Sequence, residues 1–359
     1  MDRIKSAFFN ALQHSIAGHP LSEELFVGLT TDEWRDLHKL SRNQGVLALV
    51  FDALKDLGSQ IPAPIKLQWA YGAIQIEDRS DKQWRLADEI GQEFCKRGIK
   101  PVVLKGFAIS KYYPNPKHRE CGDFDCFLMG EFEQGNKIAE QLGADVRFDD
   151  YKHSHINYKG LMIENHKFCT AIRGAKINKQ FERYLQQLLH SENEGLTKLN
   201  NSSLFAPSPT FNALFLLRHT MVHFLYEGIK IRHILDWACL IKSEKDNINW
   251  DIVRHWCNLL DLEKFLDLLN ATVSKYIGIN IDSQHTQNDE HIDRFMHGIL
   301  YDDMAVYNKS YPTIWHQRYA IAKNMIATRW KFSEVYKKSL TLELLKTTMY
   351  ALFEKHPKL

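Results

Sequence analysis

The sequence predicts an α+β fold, a small mixed β-sheet core flanked by N-terminal and C-terminal helical regions. Three observations predict it. Apolar residues recur at helical spacing up to about residue 98 and again beyond about residue 176. Between them lie short runs of strand character, "PVVLK", "DFDCFLM", "HSHINYKG" and "LMIENHKF". Glycines at 98, 143 and 160 mark where elements end or turn.

The opening "MDRIKSAFFNALQHSIAGHP" is interrupted by Asn10, Gln13 and His14, so it reads as an amphipathic helix and not as a signal peptide. Thr30 and Glu33 have capping-box spacing and start the next helix. A long helix follows "PAP", with Trp69, Ala73, Ile76, Trp84, Ala87, Ile90 and Phe94 on one face. Lys96, Arg97 and Gly98 supply the charge and backbone freedom of its C-terminus. The core, 99–175, then reads as strand "PVVLK", short helix "FAISKYY", strand "DFDCFLM", helix "EFEQGNKIAEQLG" and the strands "ADVRFDD", "HSHINYKG" and "LMIENHKF". Residues 1–98 form the N-terminal helical region and 176–359 the C-terminal one. In the latter, Ser208-Pro209 is an N-cap and N1 pair, 282–293 reads as a loop, and the tail from 313 to 353 is helical.

Composition excludes several classes. The 359 residues suffice for a large core, and 44% apolar with 25% charged residues is ordinary for a soluble globular protein. A net charge of +2 carries no global field for nucleic acid. Six cysteines without a CxxC pair fit a reduced, cytoplasmic protein, and no run approaches the ~20 apolar residues of a membrane span.

Chemistry concentrates in "LKGFAISKYYPNPKHRECGDFDCFLM", 104–129. Alternation along a strand puts Asp123 and Asp125 on one face, their Cβ atoms about 7 Å apart, with Phe124, Cys126 and Leu128 turned to a core. Two such carboxylates can share one or two Mg²⁺ ions, with Glu164 of "LMIENH" as a third acid. The plainer reading is a turn with two solvated acids before a buried strand. Upstream, Lys105-Gly106 closes a strand and opens a helix, an arrangement that binds phosphate. Arg119 is placed to hold a further phosphate or Asp123.

"LKG", "YYPNPKHRECGDFD" and "IENH" together resemble the polymerase-beta-like nucleotidyltransferase superfamily, and more closely a bacterial family of poorly characterised nucleotidyltransferases. The resemblance extends into "LFLLRHTMVHF" and "GIKIRHILDWACLI", which carry Arg232 and Asp236. It implies that Asp123, Asp125 and Glu164 bind Mg²⁺, two ions in all, and form the catalytic set. It implies that Lys105 and Gly106 cradle a nucleoside triphosphate, with Arg119 and Arg232 available to its phosphates. The superfamily usually carries Gly-Ser in the cradle where this chain has Lys-Gly. The expected activity is transfer of an NMP from an NTP to the hydroxyl of an unidentified acceptor, a small molecule or protein sooner than a nucleic acid. The alternative is a catalytically weak nucleotide-binding regulatory module with a protein partner.

Other constellations have plainer readings. His219, His223 and Glu227 have zinc-ligand spacing, although helix packing accounts for them more simply. His153, His155 and His166 lie near the acids in sequence, and His166 shares a face with Glu164. Arg232 and Asp236 read as an i,i+4 ion pair. The segment 315–338 mixes Arg318, Lys323, Arg329, Lys331, Lys337 and Lys338 with aromatics, and reads as a solvated face with aromatic anchors turned inward.

Overall fold

Two predicted N-caps set the helical frame. Glu33 donates its backbone N–H to the Thr30 hydroxyl, and the Glu33 carboxylate accepts from Thr30 N at 2.7 Å, which closes the capping box of α2 (Thr31–Asn43). Ser208 accepts from Phe211 N at 3.3 Å ahead of Pro209, the first residue of α8 (Pro209–Tyr226). The computed structural model describes residues 3–55, 57–148, 151–173, 175–191, 195–281, 287–302, 313–336 and 339–353. Around those two helices lie α1 (Arg3–Leu12), α3 (Leu47–Leu54) and α4 (Ala63–Cys95) on the N-terminal side. On the C-terminal side lie α7 (Lys176–His190), α9 (Ile231–Glu244), α10 (Trp250–Leu259), α11 (Glu263–Thr272) and α12 (Asp289–His297), followed by helices Ile314–Ala327 and Leu340–Phe353. No helix among the described residues is long and apolar enough to cross a membrane.

Between the helical regions the chain alternates through β1 (Val102–Val103), α5 (Phe107–Ser110), β2 (Phe124–Phe127), α6 (Phe132–Gln141), β3 (Asp145–Arg147), β4 (His153–Tyr158) and β5 (Leu161–His166). Lys159 and Gly160, both at positive φ (52° and 86°), make the tight turn between β4 and β5. The sheet is mixed and seven-stranded, in the order β3-β4-β5-β2-β1-β7-β6. Its last two strands, β6 (Thr197–Lys198) and β7 (Phe205–Ala206), correct the reading that only helices follow residue 176. Each has two residues, too few for alternation to show in sequence.

The two sheet faces enter different cores. Val103, Phe124, Cys126, Leu128, Ile156 and Ile163 pack with α6 and with Ala87, Ile90 and Phe94 of α4. Val102, Leu104 and Phe127 face the other way and join a larger core that includes Phe8, Trp34 and Trp69 together with Phe211, Trp237 and Phe265. Regions 1–98 and 176–359 therefore share one apolar interior. Gln44, fully buried after α2, ties them further: it accepts from Ile231 N at 2.8 Å and donates to the carbonyls of Ile299 and Leu300 at 3.3 Å.

Two further expectations need correction. Residues 289–293, read as loop, open α12, where the Asn288 side chain accepts from Glu290 N and caps the helix; 282–286 lie outside the described residues. Lys331, read as part of a solvated basic face, is fully buried, with its Nζ donating to Phe224 O at 2.9 Å. Phe332 turns inward as expected, whereas Trp315 and Tyr319 are exposed. Lys337 and Lys338 lie outside the described residues.

Candidate functional site

Strand register assembles the acids. β2 and β5 run parallel with Asp125 beside Glu164 and Phe127 beside His166. β4 runs antiparallel to β5 with His155 beside Glu164 and His153 beside His166. Paired residues share a sheet face, so Asp125, Glu164, His166, His155 and His153 all project to the side opposite Cys126 and Ile163. Asp123 continues that face at the solvent edge of β2. His166 Nε2 lies 3.1 Å from Asp125 Oδ1 and 3.3 Å from Glu164 Oε2. The Nε2 atoms of His153 and His155 each lie 3.8 Å from Glu164 Oε1.

Burial and charge tune these groups. Asp125 is 3% exposed. Burial would raise its pKa, but the Lys105 ammonium, 3.2 Å from Oδ1, and the His166 contact outweigh burial and hold the carboxyl below its ordinary value. Its second oxygen, Oδ2, is buried without a hydrogen-bond partner. Glu164 is likewise held well below the carboxylate range, since contacts from His155 and His166 outweigh its desolvation. Asp123 moves the other way: desolvation and the negative charges of Glu164 and Asp125 raise it. Desolvation pushes His153 down to about 4, leaving a neutral ring with a free lone pair at physiological pH.

The cradle in front of the acids rests on Lys105 and Gly106. Gly106 adopts φ 59° and ψ −114°, a conformation that only glycine takes without strain. The expected positive helix end is slight, because α5 has only four residues. The positive charge comes from Lys105, whose Nζ also lies 3.5 Å from His219 Nε2 of α8.

That contact exposes what the sequence reading missed. The His219–His223–Glu227 face of α8 packs as expected, with His219 stacked on Phe215, and it also turns toward the cradle. The His219 and His223 rings lie 4.3 Å apart, and His223 Nδ1 lies 2.8 Å from Glu227 Oε2. Burial, then the charges of Lys105, His223 and Lys152, keep His219 well below its usual pKa and therefore neutral. The i,i+4,i+8 spacing was the available signal, but nothing local said which way the face turned. The trio does not converge as a metal set. Among the described residues, cation-sized convergence is found at Asp125–Glu164–His166 and at His153–His155–Glu164, with ligand atoms within 4.8 Å of one another.

The arginines are placed differently from expectation. Arg119 is buried, and donates Nε to Asp236 Oδ1 at 2.9 Å and Nη2 to Oδ2 at 2.6 Å. Tyr113 adds its hydroxyl to the same Oδ1 at 2.7 Å. Asp236 is thus the partner of Arg119 and not of Arg232, because α9 turns Asp236 toward the loop after α5. Arg232 instead donates Nη1 to Glu120 O at 2.6 Å. His118 completes the clamp, with Nδ1 2.5 Å from Asp52 Oδ2 of α3 and Nε2 2.7 Å from Glu77 Oε1 of α4. These contacts fix the loop that delivers Asp123 to the site.

The model of a family described as "Uncharacterised nucleotidyltransferase" matches residues 30–278, a span that includes the cradle, the acids and the α8–α9 clamp. No curated protein and no solved structure matches the chain.

Proposed function

Because the chain belongs to this uncharacterised nucleotidyltransferase family, we propose that it is a Mg²⁺-dependent enzyme that moves an NMP from an NTP to an acceptor hydroxyl. The observation that carries this reading is the convergence of Asp125, Glu164 and His166, with ligand atoms within 4.8 Å of one another, together with a buried Asp125 oxygen that lacks a partner. A buried, unpaired carboxylate oxygen is costly, and a divalent cation satisfies it. Asp123, Asp125 and Glu164 would hold Mg²⁺, their hard oxygens matching its preference, and the neighbouring imidazoles also suit Mn²⁺. When bound, the metal supplies charge neutralisation at the α-phosphate and the leaving oxygens.

The protein groups do the rest. Lys105 and the Gly106 backbone seat the phosphates, with Lys152 adding charge from the β4 side, since its field reaches both His219 and Glu227. The acceptor oxygen bonds to the α-phosphorus, the bond to the bridging oxygen breaks, and pyrophosphate departs with that electron pair. Glu164, held so acidic, is a poor proton acceptor and serves as a ligand. The hydroxyl proton passes to water at the solvent edge of the site. Six free cysteines support a reducing, cytoplasmic setting. No observation favours the catalytically weak regulatory module.

The test is turnover of α-labelled NTP with Mg²⁺ and a cell extract, in the wild type and in the Asp123→Asn and Asp125→Asn variants. We expect label on an acceptor in the wild type and loss of about a thousandfold or more in each variant, with thermal melts retaining a cooperative transition. Unchanged turnover in either variant would sink the assignment.

A further inference from the structure

A second space on the molecule has no role in the chemistry described so far. It is a cavity of about 510 Å³ between α2 and α4, within the size range of small-molecule sites. His38 and Arg42 line it from α2, one turn apart, and Gln68, Tyr71, Gln75 and Arg79 line it from one face of α4. Glu120 is the single acid in its lining. Among the described residues, neither Arg42 nor Arg79 has a carboxylate within ion-pair distance. His38 Nε2 is buried without a hydrogen-bond partner, and its ring is braced edge-on to Trp69 at 5.0 Å.

One end of the cavity borders the loop that precedes Asp123. At Ile76, Arg79 and Glu120 it adjoins a water-sized space of about 10 Å³ lined by Arg119 and Cys121. Cys121 Sγ lies 3.7 Å from where a Cβ on Gly106 would stand, so this end abuts the phosphate cradle. Gln83, one turn beyond Arg79 on α4, donates Nε2 to Gly122 O at 3.0 Å and so holds the residue next to Asp123. Four residues of helix span about 6 Å. A molecule of sugar size anchored at Arg79 is long enough to extend along α4 to the level of Gln83.

Resting on the nucleotidyl-transfer reading, we propose that this groove binds the acceptor, and that the acceptor is a small hydroxyl-bearing anion carrying a phosphate or carboxylate. Two guanidiniums against one carboxylate select for negative charge, and the fork of each guanidinium matches either anionic group. The Gln68 and Gln75 amides and the exposed Tyr71 ring supply polar and stacking contacts for the uncharged part. The hydroxyl end then lies toward Gln83 and Gly122, the residue next to Asp123.

The experiment reads binding directly, without transfer. Ligand-observed NMR on the full chain uses glucose 6-phosphate and glucuronate as anionic probes and glucose as their neutral counterpart. The proteins are the wild type, an Arg42→Gln/Arg79→Gln double variant and Asp125→Asn. Both arginines are exposed, so the double variant should fold normally, which a thermal melt checks. We expect at least one anionic probe to bind and glucose not to. The double variant should weaken that binding about tenfold or more, and Asp125→Asn should leave it intact. The proposal is overturned if no anionic probe binds, if glucose binds equally, or if the double variant binds as the wild type does. It is also overturned if the double variant weakens ATP binding to the same degree, which would make the groove part of the nucleotide site. Loss of transfer in Asp125→Asn with retained probe binding would separate this question from the catalytic one.

Discussion

Replacing Arg119 by Met tests whether that side chain holds the fold or the nucleotide. Its guanidinium and the Asp236 carboxylate are 6% and 5% exposed, and Asp236 accepts three hydrogen bonds, two of them from Arg119. Arg119→Met leaves a buried carboxylate with only the Tyr113 hydroxyl. Breaking a buried pair from one side costs about 3–5 kcal/mol, since the surviving charge stays desolvated. Removing Asp236 as well, as Leu, eliminates that charge but orphans the Tyr113 hydroxyl, at about 1–3 kcal/mol. Adding Tyr113→Phe removes the last polar group, so the triple variant should regain most of the lost stability. Urea unfolding of the single, double and triple variants measures this order. Labelled-NTP kinetics on the recovered triple variant gives the functional half: as a positioning residue, Arg119 should leave the KM for NTP within about threefold of wild type. The reasoning fails if the single variant loses less than about 1 kcal/mol, or if the triple variant does not recover. It also fails if KM rises about tenfold while stability returns, because Arg119 would then touch the phosphates.

Two more expectations follow from the clamp and the cradle. Gly106→Ala meets no steric obstacle, with Cys121 Sγ at 3.7 Å, yet its φ of 59° forces strain of about 1–3 kcal/mol. A lower melting temperature together with a raised KM for NTP is expected, and an unchanged KM would show that the Gly106 backbone does not seat phosphate. His118 sets a pH dependence. Burial alone would lower its pKa, but hydrogen bonds to Asp52 and Glu77 outweigh burial and raise it above 6.5. A raised folded pKa gives stability that is fully present below the unfolded value and lost as pH rises through the folded one. Unfolding midpoints should therefore fall across that window in the wild type, and the His118→Asn variant should lack this component. Identical pH slopes in the two proteins would remove His118 from the account.

Much of this arrangement was readable from local pattern. Thr30–Glu33, Ser208–Pro209, the α4 stripe and the strand runs from 101 to 166 carry their signals within a few residues. Alternation alone put Asp123 with Asp125, and Glu164 with His166. Register between strands is a long-range property, so the sequence did not show that Glu164 lies beside Asp125, or that β4 brings His153 and His155 to the same acid. Asp236 was paired with Arg232 because four residues along a helix is a visible spacing, whereas its true partner is 117 residues away. Lys331 was read as solvated because a buried lysine has no marker in sequence until the carbonyl it meets, Phe224 O, is placed opposite it. The match over 30–278 bears out the nucleotidyltransferase family and leaves the acceptor open.

The alternation of β5 has a consequence for folding as well as for chemistry. Ile163 and Asn165 face α6 and the apolar layer, while Glu164 and His166 face the acids. A slip of one residue against β2 would exchange the two sets, driving a carboxylate toward Cys126 and Phe124 and leaving an isoleucine among charges. The alignment that lets a cation be held is thus the same alignment that the apolar layer demands. Mispaired chains are rejected twice, once by each face. The acids therefore act as a proofreading device for strand pairing before any nucleotide arrives.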